Sequence, residues 1–153
     1  MKGKRKPFER DVYQKCDAMA KTAVALHLTL SGYDVKVPPE NYGADLYHTH
    51  PNNTMTVYHE VEVSLGWDDI DFPYPTGSIP ERKIRLRKMI QGPLFFWMLN
   101  KICNRAVVFS SRYLDNRFLV EVPNKKIAEG EYFYRPPIHY GRIINPLLRG
   151  KDV

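Results

Sequence analysis

The segment "TVYHEVEVSLGW", residues 56–67, decides the fold because it is typical of a β-strand yet carries two carboxylates on one face. Side chains alternate between the two faces of a strand, so Glu60 and Glu62 point to one side while Val61 and Val63 point to the other. Neighbouring carboxylates repel each other, and burying them without a partner is costly. A cation between them would make the arrangement tolerable. The alternative is the polar outer face of an edge strand.

The sequence before this segment predicts a helix followed by a β-meander. Apolar residues recur at spacings of three and four over residues 8–32, which indicates one long helix that ends at Gly32. Strand-like segments follow at 33–37, 44–50 and 55–64, and turn residues separate them.

Downstream of the meander, the sequence predicts a long loop, a second helix and further strands. Pro80 suits the first helical position, and Gly92 suits the residue after the helix ends. The predicted segments are a loop over 66–80, a helix over 80–91, a buried hairpin over 94–100 and 105–110, and a strand over 118–122. The tail 123–153 has weak periodicity and is expected to be irregular. We therefore expect one α/β domain over 1–153, with its core at about 8–122, built as a sandwich around a mixed sheet.

Composition and charge indicate a globular protein with an anionic partner. The chain has 153 residues and a formal net charge of +6, which favours nucleic acid over a neutral partner. Its two cysteines, Cys16 and Cys103, form no disulfide framework and no zinc site, so a reducing, cytoplasmic location is expected, inside a host cell if the protein is viral. The basic start of the chain lacks the apolar stretch of a signal peptide, and "PLFFWML" is too short to cross a bilayer. No membrane partner is expected.

Asp45 can add a third carboxylate to the pair on the third strand. Antiparallel pairing would bring the strands 44–50 and 55–64 side by side, with cross-strand neighbours about 5 Å apart. Mg²⁺ and Mn²⁺ prefer oxygen ligands, and Mg²⁺ keeps several waters, so two or three convergent carboxylates suffice. Asp45, Glu60 and Glu62 are therefore the predicted metal ligands.

With "YGAD" at 42–45 and "EVE" at 60–62, this order of elements resembles the PD-(D/E)XK nuclease superfamily. The resemblance implies a restriction-endonuclease-like α-β-β-β-α-β sandwich with a mixed central sheet. Asp45 matches the Asp of the family motif and Glu60 its acidic position, but "GAD" replaces "PD", and Glu62 stands where the motif has Lys. Some family members carry Glu at that position, and others move the basic residue to the following helix, which makes Lys83 the candidate here, with Arg82 and Arg87 as alternatives.

The resemblance implies a Mg²⁺- or Mn²⁺-dependent endonuclease that hydrolyses DNA phosphodiester bonds with weak sequence specificity or with selectivity for DNA structure. Asp45 and Glu60 would hold the ion, Glu62 would orient or deprotonate a water or bind a second ion, and Lys83 would offset charge in the transition state. Glu9, on the first helix, would hold a metal-bound water. A homodimer is compatible with the resemblance, because many members of the superfamily cut one DNA strand with each subunit.

The basic cluster "ERKIRLRK", residues 81–88, adds a predicted DNA contact. Phosphate contacts need positive charge but no base specificity. We expect them from Arg82, Arg85, Arg87 and Lys88, and Trp67 in the long loop could stack on bases.

Two other functions are compatible with the sequence. A non-catalytic nucleic-acid-binding module on the same fold is one, because the motif lacks its Lys. A zinc hydrolase is the other, because "HTHP" at 48–51 places His48 and His50 on one strand face and resembles the core of the JAMM zinc isopeptidases. The Ser-x-x-Asp motif of that family is out of register here, since Trp67 occupies the third position after Ser64, where the motif has Asp.

Overall fold

The structure is a computed structural model that describes residues 10–38, 43–50, 52, 55–123 and 130–150. Helix α1 spans Arg10–Leu30, and helix α2 spans Ile84–Met89 directly after a 3-10 turn at Glu81–Lys83. The strands are β1 (Asp34–Lys36), β2 (Leu46–Thr49), β3 (Thr56–Val63), β4 (Ile79–Pro80), β5 (Leu94–Leu99), β6 (Ala106–Ser110), β7 (Leu119–Val122), β8 (Glu131–Tyr134) and β9 (Arg142–Ile144).

A six-stranded sheet forms the centre of the fold in the order β1-β2-β3-β5-β6-β9. The first three strands pair antiparallel, β3 pairs parallel with β5, and β5, β6 and β9 again pair antiparallel. The parallel pair requires a long crossover connection, and the segment 64–93, which includes α2, supplies it. This confirms the predicted α/β class, the meander, the hairpin and the mixed central sheet.

Helix α1 covers one face of this sheet. Ala20, Val24 and Leu28 repeat every four residues, so they share one side of the helix. They pack with Val61 of β3 and Trp97 of β5 in one buried apolar cluster, which holds the helix against the sheet. In the part of the chain that the structure describes, no helix combines the length and the apolarity needed to span a membrane.

The opposite face of the sheet is covered by α2 and by a second sheet of three strands in the order β4-β8-β7. Leu86 of α2 packs there with Phe96 of β5 and Phe109 of β6 in a second buried cluster. Burying a large apolar side chain stabilises a fold by about 1.5–3 kcal/mol. This layer therefore positions the 3-10 turn before α2 over the face of β3 that carries the two glutamates.

Several predicted elements differ from the structure, chiefly in the tail. The tail 123–153 contains β8 and β9, and β9 pairs with β6 to extend the central sheet, so its description as irregular is wrong. The predicted strand 118–122 exists as β7 but belongs to the second sheet. Strands of three or four residues show too little periodicity to be recognised, because partners distant in sequence stabilise them. The second helix is shorter than predicted, since Ile90 adopts an extended conformation with φ −91° and ψ 119°.

Candidate active site

Glu60 and Glu62 lie on the face of β3 opposite α1, as the alternation of the strand predicts. Val61, between them, points into the cluster under α1. The side chain of Glu60 is 7% exposed, and that of Glu62 is 31% exposed. The two carboxyl groups are therefore largely removed from water and depend on nearby partners.

Lys83 lies within ion-pair distance of both glutamates. It ends the 3-10 turn before α2, and its Nζ donates a hydrogen bond to Glu60 Oε2 at 3.0 Å. The same Nζ lies 3.7 Å from Glu62 Oε1. The structure thus places Lys83 between the two carboxyl groups, where the sequence comparison with the nuclease motif expects a basic group.

Asp45 lies immediately before β2 and faces the same pair. The register of β2 and β3 sets Leu46 opposite His59, so the next position places Asp45 opposite Glu60. Asp45 Oδ2 accepts a hydrogen bond from the backbone N–H of Val61 at 2.8 Å. This contact fixes the carboxylate of Asp45 beside the strand that carries the two glutamates.

A second lysine, Lys21 of α1, completes the site. Its Nζ lies 3.2 Å from Asp45 Oδ1 and 2.9 Å from Asp17 Oδ2 one helical turn earlier. The sequence analysis did not identify Lys21 as a site residue. The i,i+4 spacing of Asp17 and Lys21 was visible, but it indicates only an ordinary helix surface pair. The packing of α1 against β3 is what brings Lys21 to Asp45.

Asp45 and Glu60 share a hydrogen bond that requires one proton. Burial is the largest cause that raises the pKa of Glu60, the hydrogen bond and charge of Asp45 add to it, and Lys83 opposes both, so that the pKa is about 8. Burial also acts to raise the pKa of Asp45, but hydrogen bonds from Glu60 and Val61 and the charge of Lys21 outweigh it and lower that pKa. At neutral pH, Glu60 therefore carries the proton and donates it to an ionised Asp45, although Lys83 lies at ion-pair distance.

Glu62 is the third carboxyl group of the site. Burial raises its pKa, and the charges of Lys83 and Arg82 act in the opposite direction. Because it is more exposed than Glu60, it is the group that solvent or a substrate reaches first. A carboxylate of raised pKa accepts a proton more readily than an ordinary one.

The donor set fits a hard divalent cation of the Mg²⁺ type. Among the described residues, no group of three or more His, Cys, Asp or Glu is arranged as a ready-made metal cluster. Asp45 and Glu60 nevertheless form a pair of carboxyl groups joined by a hydrogen bond, with Lys21 beside Asp45 and Lys83 beside Glu60. Mg²⁺ typically binds one or two carboxylates and keeps several waters, so this pair suffices. Glu62 joins the pair through Lys83.

Two cavities lead to these carboxyl groups. A small one of about 20 Å³ borders Glu60, Glu62 and Lys83, which is room for about one water molecule. A larger cleft of about 680 Å³ borders Glu62 and Arg82 and extends to Tyr132 of β8. The larger cleft makes the site accessible from the surface on the side of Glu62.

The residues predicted to contact DNA divide into two groups. Arg82, Arg85 and Lys88 are exposed around α2, beside the candidate active site. Arg87 instead donates from Nη1 to two backbone carbonyls in the segment 111–114, at 3.2 and 3.0 Å. Arg87 therefore ties α2 to the segment after β6, a structural role that the sequence did not indicate.

Trp67 corrects a sequence prediction. Its side chain is 1% exposed, and its Nε1–H donates to the backbone oxygen of Ile70 at 2.8 Å. Phe72 packs edge-on against it at 5.0 Å. The long loop thus contributes a core residue, and Trp67 presents no ring surface on which a base could stack. Glu9, which was predicted to hold a metal-bound water, lies outside the described residues.

His48 and His50, the predicted zinc ligands, lie on the α1 side of the sheet. His48 is buried, and its Nδ1 lies 2.8 Å from Nε2 of His59. Tyr33 contacts both rings of the predicted pair, with centroids at 4.2 and 5.9 Å. No Asp or Glu is among the described residues that line the cavity beside them, so a zinc-activated water would have no neighbouring carboxylate base there.

Comparison with known proteins adds no family to this description. No protein-family model matches the chain, and no curated protein sequence is significantly similar to it.

Proposed function

We propose that the protein is a metal-dependent endonuclease that hydrolyses DNA phosphodiester bonds, with a PD-(D/E)XK-like arrangement in which Lys83 replaces the lysine of the motif. The observation that carries the proposal is that Lys83 lies within ion-pair distance of both Glu60 and Glu62, while Asp45 accepts a hydrogen bond from the backbone N–H between them, in a site that opens to the surface. Carboxyl groups with perturbed pKa values, gathered at a cleft, are typical of functional sites. If these residues had a purely structural role, apolar side chains of similar size would give equal or greater stability.

Each residue of the site has a chemical role in this proposal. Asp45 and Glu60 would hold Mg²⁺ or Mn²⁺, which when bound supplies positive charge that polarises a phosphate and acidifies water. Lys83 places an ammonium group where negative charge develops on the phosphate. Lys21 keeps Asp45 ionised, and the Val61 amide fixes its orientation.

Glu62 is the proposed general base. Its carboxyl group is the most exposed of the three, and burial raises its pKa, which makes it a stronger base than an ordinary glutamate. Lys83, at 3.7 Å, restrains the carboxyl group without the short hydrogen bond that it makes to Glu60. Glu62 can therefore exchange protons while Glu60 remains fixed.

DNA is the proposed substrate because exposed basic side chains follow the site along the 3-10 turn and α2. Arg82, Arg85 and Lys88 are exposed on the same 3-10 turn and helix that carry Lys83, and the net charge of the chain is +6. Contacts of this kind bind phosphates and carry no base specificity. Weakly specific or structure-selective cleavage follows from such an interface.

Nicking of supercoiled plasmid DNA tests the proposal. We expect nicking with Mg²⁺ or Mn²⁺ that stops in EDTA and falls at least about 10²-fold in Asp45→Asn. The matched control is Asp34→Asn, an exposed aspartate of β1, which should retain the wild-type rate. Equal rates for Asp45→Asn and the wild type, or nicking that continues in EDTA, would refute the proposal. Binding of DNA without any cleavage would instead identify a nucleic-acid-binding module.

A further inference from the structure

A second cavity lies on the face of the sheet opposite the candidate active site. It has a volume of about 570 Å³ and lies between the C-terminal end of α1, the strands β2 and β3, and the segment 140–144. This volume is within the range of about 300–1,000 Å³ that small-molecule sites occupy. The residues that matter here are His27, Tyr33, His48, Arg112, Tyr140 and Arg142. The proposed nuclease function uses none of them.

The charge of this cavity favours an anion. Two arginines, Arg112 and Arg142, line it, and none of the lining residues in the described part of the chain is Asp or Glu. Both arginines are exposed at the mouth, so they can reach a ligand without losing their own hydration first. Arginine binds phosphate and carboxylate groups through two parallel N–H donors.

Hydrogen bonds to three imidazole rings determine which ring nitrogens carry protons, and they leave the Nε2–H groups of His27 and His48 as further donors. The indole N–H of Trp97 can only donate, and it lies 2.9 Å from His59 Nδ1, so the proton of His59 is on Nε2. His59 then donates to His48 Nδ1 at 2.8 Å, which leaves the proton of His48 on Nε2. The backbone N–H of Leu148 donates to His27 Nδ1 at 2.9 Å, so His27 also carries its proton on Nε2. His27 and His48 are thus neutral rings of fixed tautomer.

Aromatic rings give the cavity flat walls. Tyr113 and Tyr140 stack with centroids 4.9 Å apart and an interplanar angle of 23°. On the other side, Tyr33 lies 4.2 Å from the ring of His48. Flat walls of this kind fit a planar ring, and nucleobases stack on aromatic side chains regardless of base identity.

We propose that this cavity binds a phosphate ester that carries a planar base, with the phosphate on Arg112 and Arg142 and the base against the aromatic wall. Such a group occurs in a free nucleoside monophosphate and in the unpaired 5′-phosphorylated end of a DNA strand. The proposal goes beyond the nuclease function and does not depend on it, because the two sites lie on opposite faces of the sheet.

Isothermal titration of the whole chain with AMP tests this inference. We expect saturable binding, and about tenfold weaker binding of inorganic phosphate and of adenosine alone. Arg112→Met and Arg142→Met should each weaken AMP binding about tenfold or more. Arg117→Met is the matched control, because Arg117 lies 4.7 Å over the ring of Phe118 much as Arg112 lies 5.0 Å over that of Tyr113.

A short 5′-phosphorylated single strand of DNA separates the two sources of the ligand. Binding of the strand that is tighter than AMP and is lost in Arg142→Met assigns a strand end, whereas AMP binding that is as tight or tighter assigns a free mononucleotide. Glu60→Gln should leave the affinity for AMP unchanged, which distinguishes this site from the nuclease site. Absence of saturable AMP binding at 10 mM, phosphate binding equal to that of AMP, or equal losses in Arg117→Met would overturn the inference.

Discussion

Replacing Glu60 by Gln should make the protein more stable at pH 8 and inactive as a nuclease. The pKa of Glu60 is about 8 because of burial and the neighbouring Asp45, against 4.5 for an unperturbed glutamate. Between these two pH values the folded state holds a proton that the unfolded chain releases. The free energy of unfolding of the wild type therefore falls as pH rises through this window, and above pH 8 the loss is complete.

The size of the effect follows from the width of that window. Each pH unit within it is worth about 1.4 kcal/mol, so between pH 5 and pH 8 the wild type loses on the order of 4 kcal/mol through Glu60 alone. Gln has the same shape and does not titrate, and its amide can still donate to Asp45 and accept from Lys83. Glu60→Gln should therefore match the wild type near pH 5 and exceed its stability by up to about 4 kcal/mol at pH 8.

Urea unfolding followed by circular dichroism, from pH 5 to pH 8.5 in EDTA, measures this difference. The two proteins differ only at position 60, so subtracting the two curves isolates Glu60 together with the Asp45 to which it is hydrogen-bonded. Glu81→Gln is the control, because Glu81 is exposed on the 3-10 turn before α2, and its difference from the wild type should stay flat. A stability difference that does not grow with pH, or plasmid nicking at the wild-type rate in Glu60→Gln, would refute the reasoning.

Three further substitutions test other contacts of the site and of the core. Lys83→Met should lower the nicking rate at saturating DNA about 10²-fold, whereas Lys88→Met, at an exposed lysine of α2, should change only DNA affinity; equal effects on the rate would contradict the role of Lys83. Arg87→Met should lower the free energy of unfolding by about 1–3 kcal/mol, because two carbonyls lose a charged donor, and urea unfolding would expose the error if stability were unchanged. Burial and the charge of His48 lower the pKa of His59 to about 3, so the wild type should lose stability as pH falls from 6.5 towards 3. His59→Gln should lack that part of the acid dependence in the same assay, and parallel curves for the two proteins would disprove the assignment.

The local pattern of the sequence was sufficient to predict the carboxylate pair and the strands that carry it. Glu60 and Glu62 share a face because a strand repeats every two residues, and no distant contact is needed for that. The turn residues between the first three strands likewise predicted an antiparallel meander, which places Asp45 opposite Glu60.

Other features depended on contacts between residues far apart in the chain. The polar sequence around Trp67 is typical of an exposed loop. Trp67 nevertheless lies in the core, because the loop folds back on itself through Ile70 and Phe72. Lys21 and Arg87 look like ordinary residues of solvated helix faces. Their partners, Asp45 and the carbonyls near Ser111, are more than twenty residues away.

By itself, the sequence of this protein determined which faces of its longer elements are apolar and that two carboxyl groups stand side by side on one strand. Periodicity within one element contains that information, because it follows from the geometry of the backbone. The tertiary structure alone decided that Lys83 compensates those carboxyl groups, that Lys21 pairs with Asp45, that β9 extends the central sheet, and that a basic, aromatic cavity forms on the opposite face. Such pairings arise from packing between elements distant in sequence. The residue pattern within one element does not determine which other element packs against it.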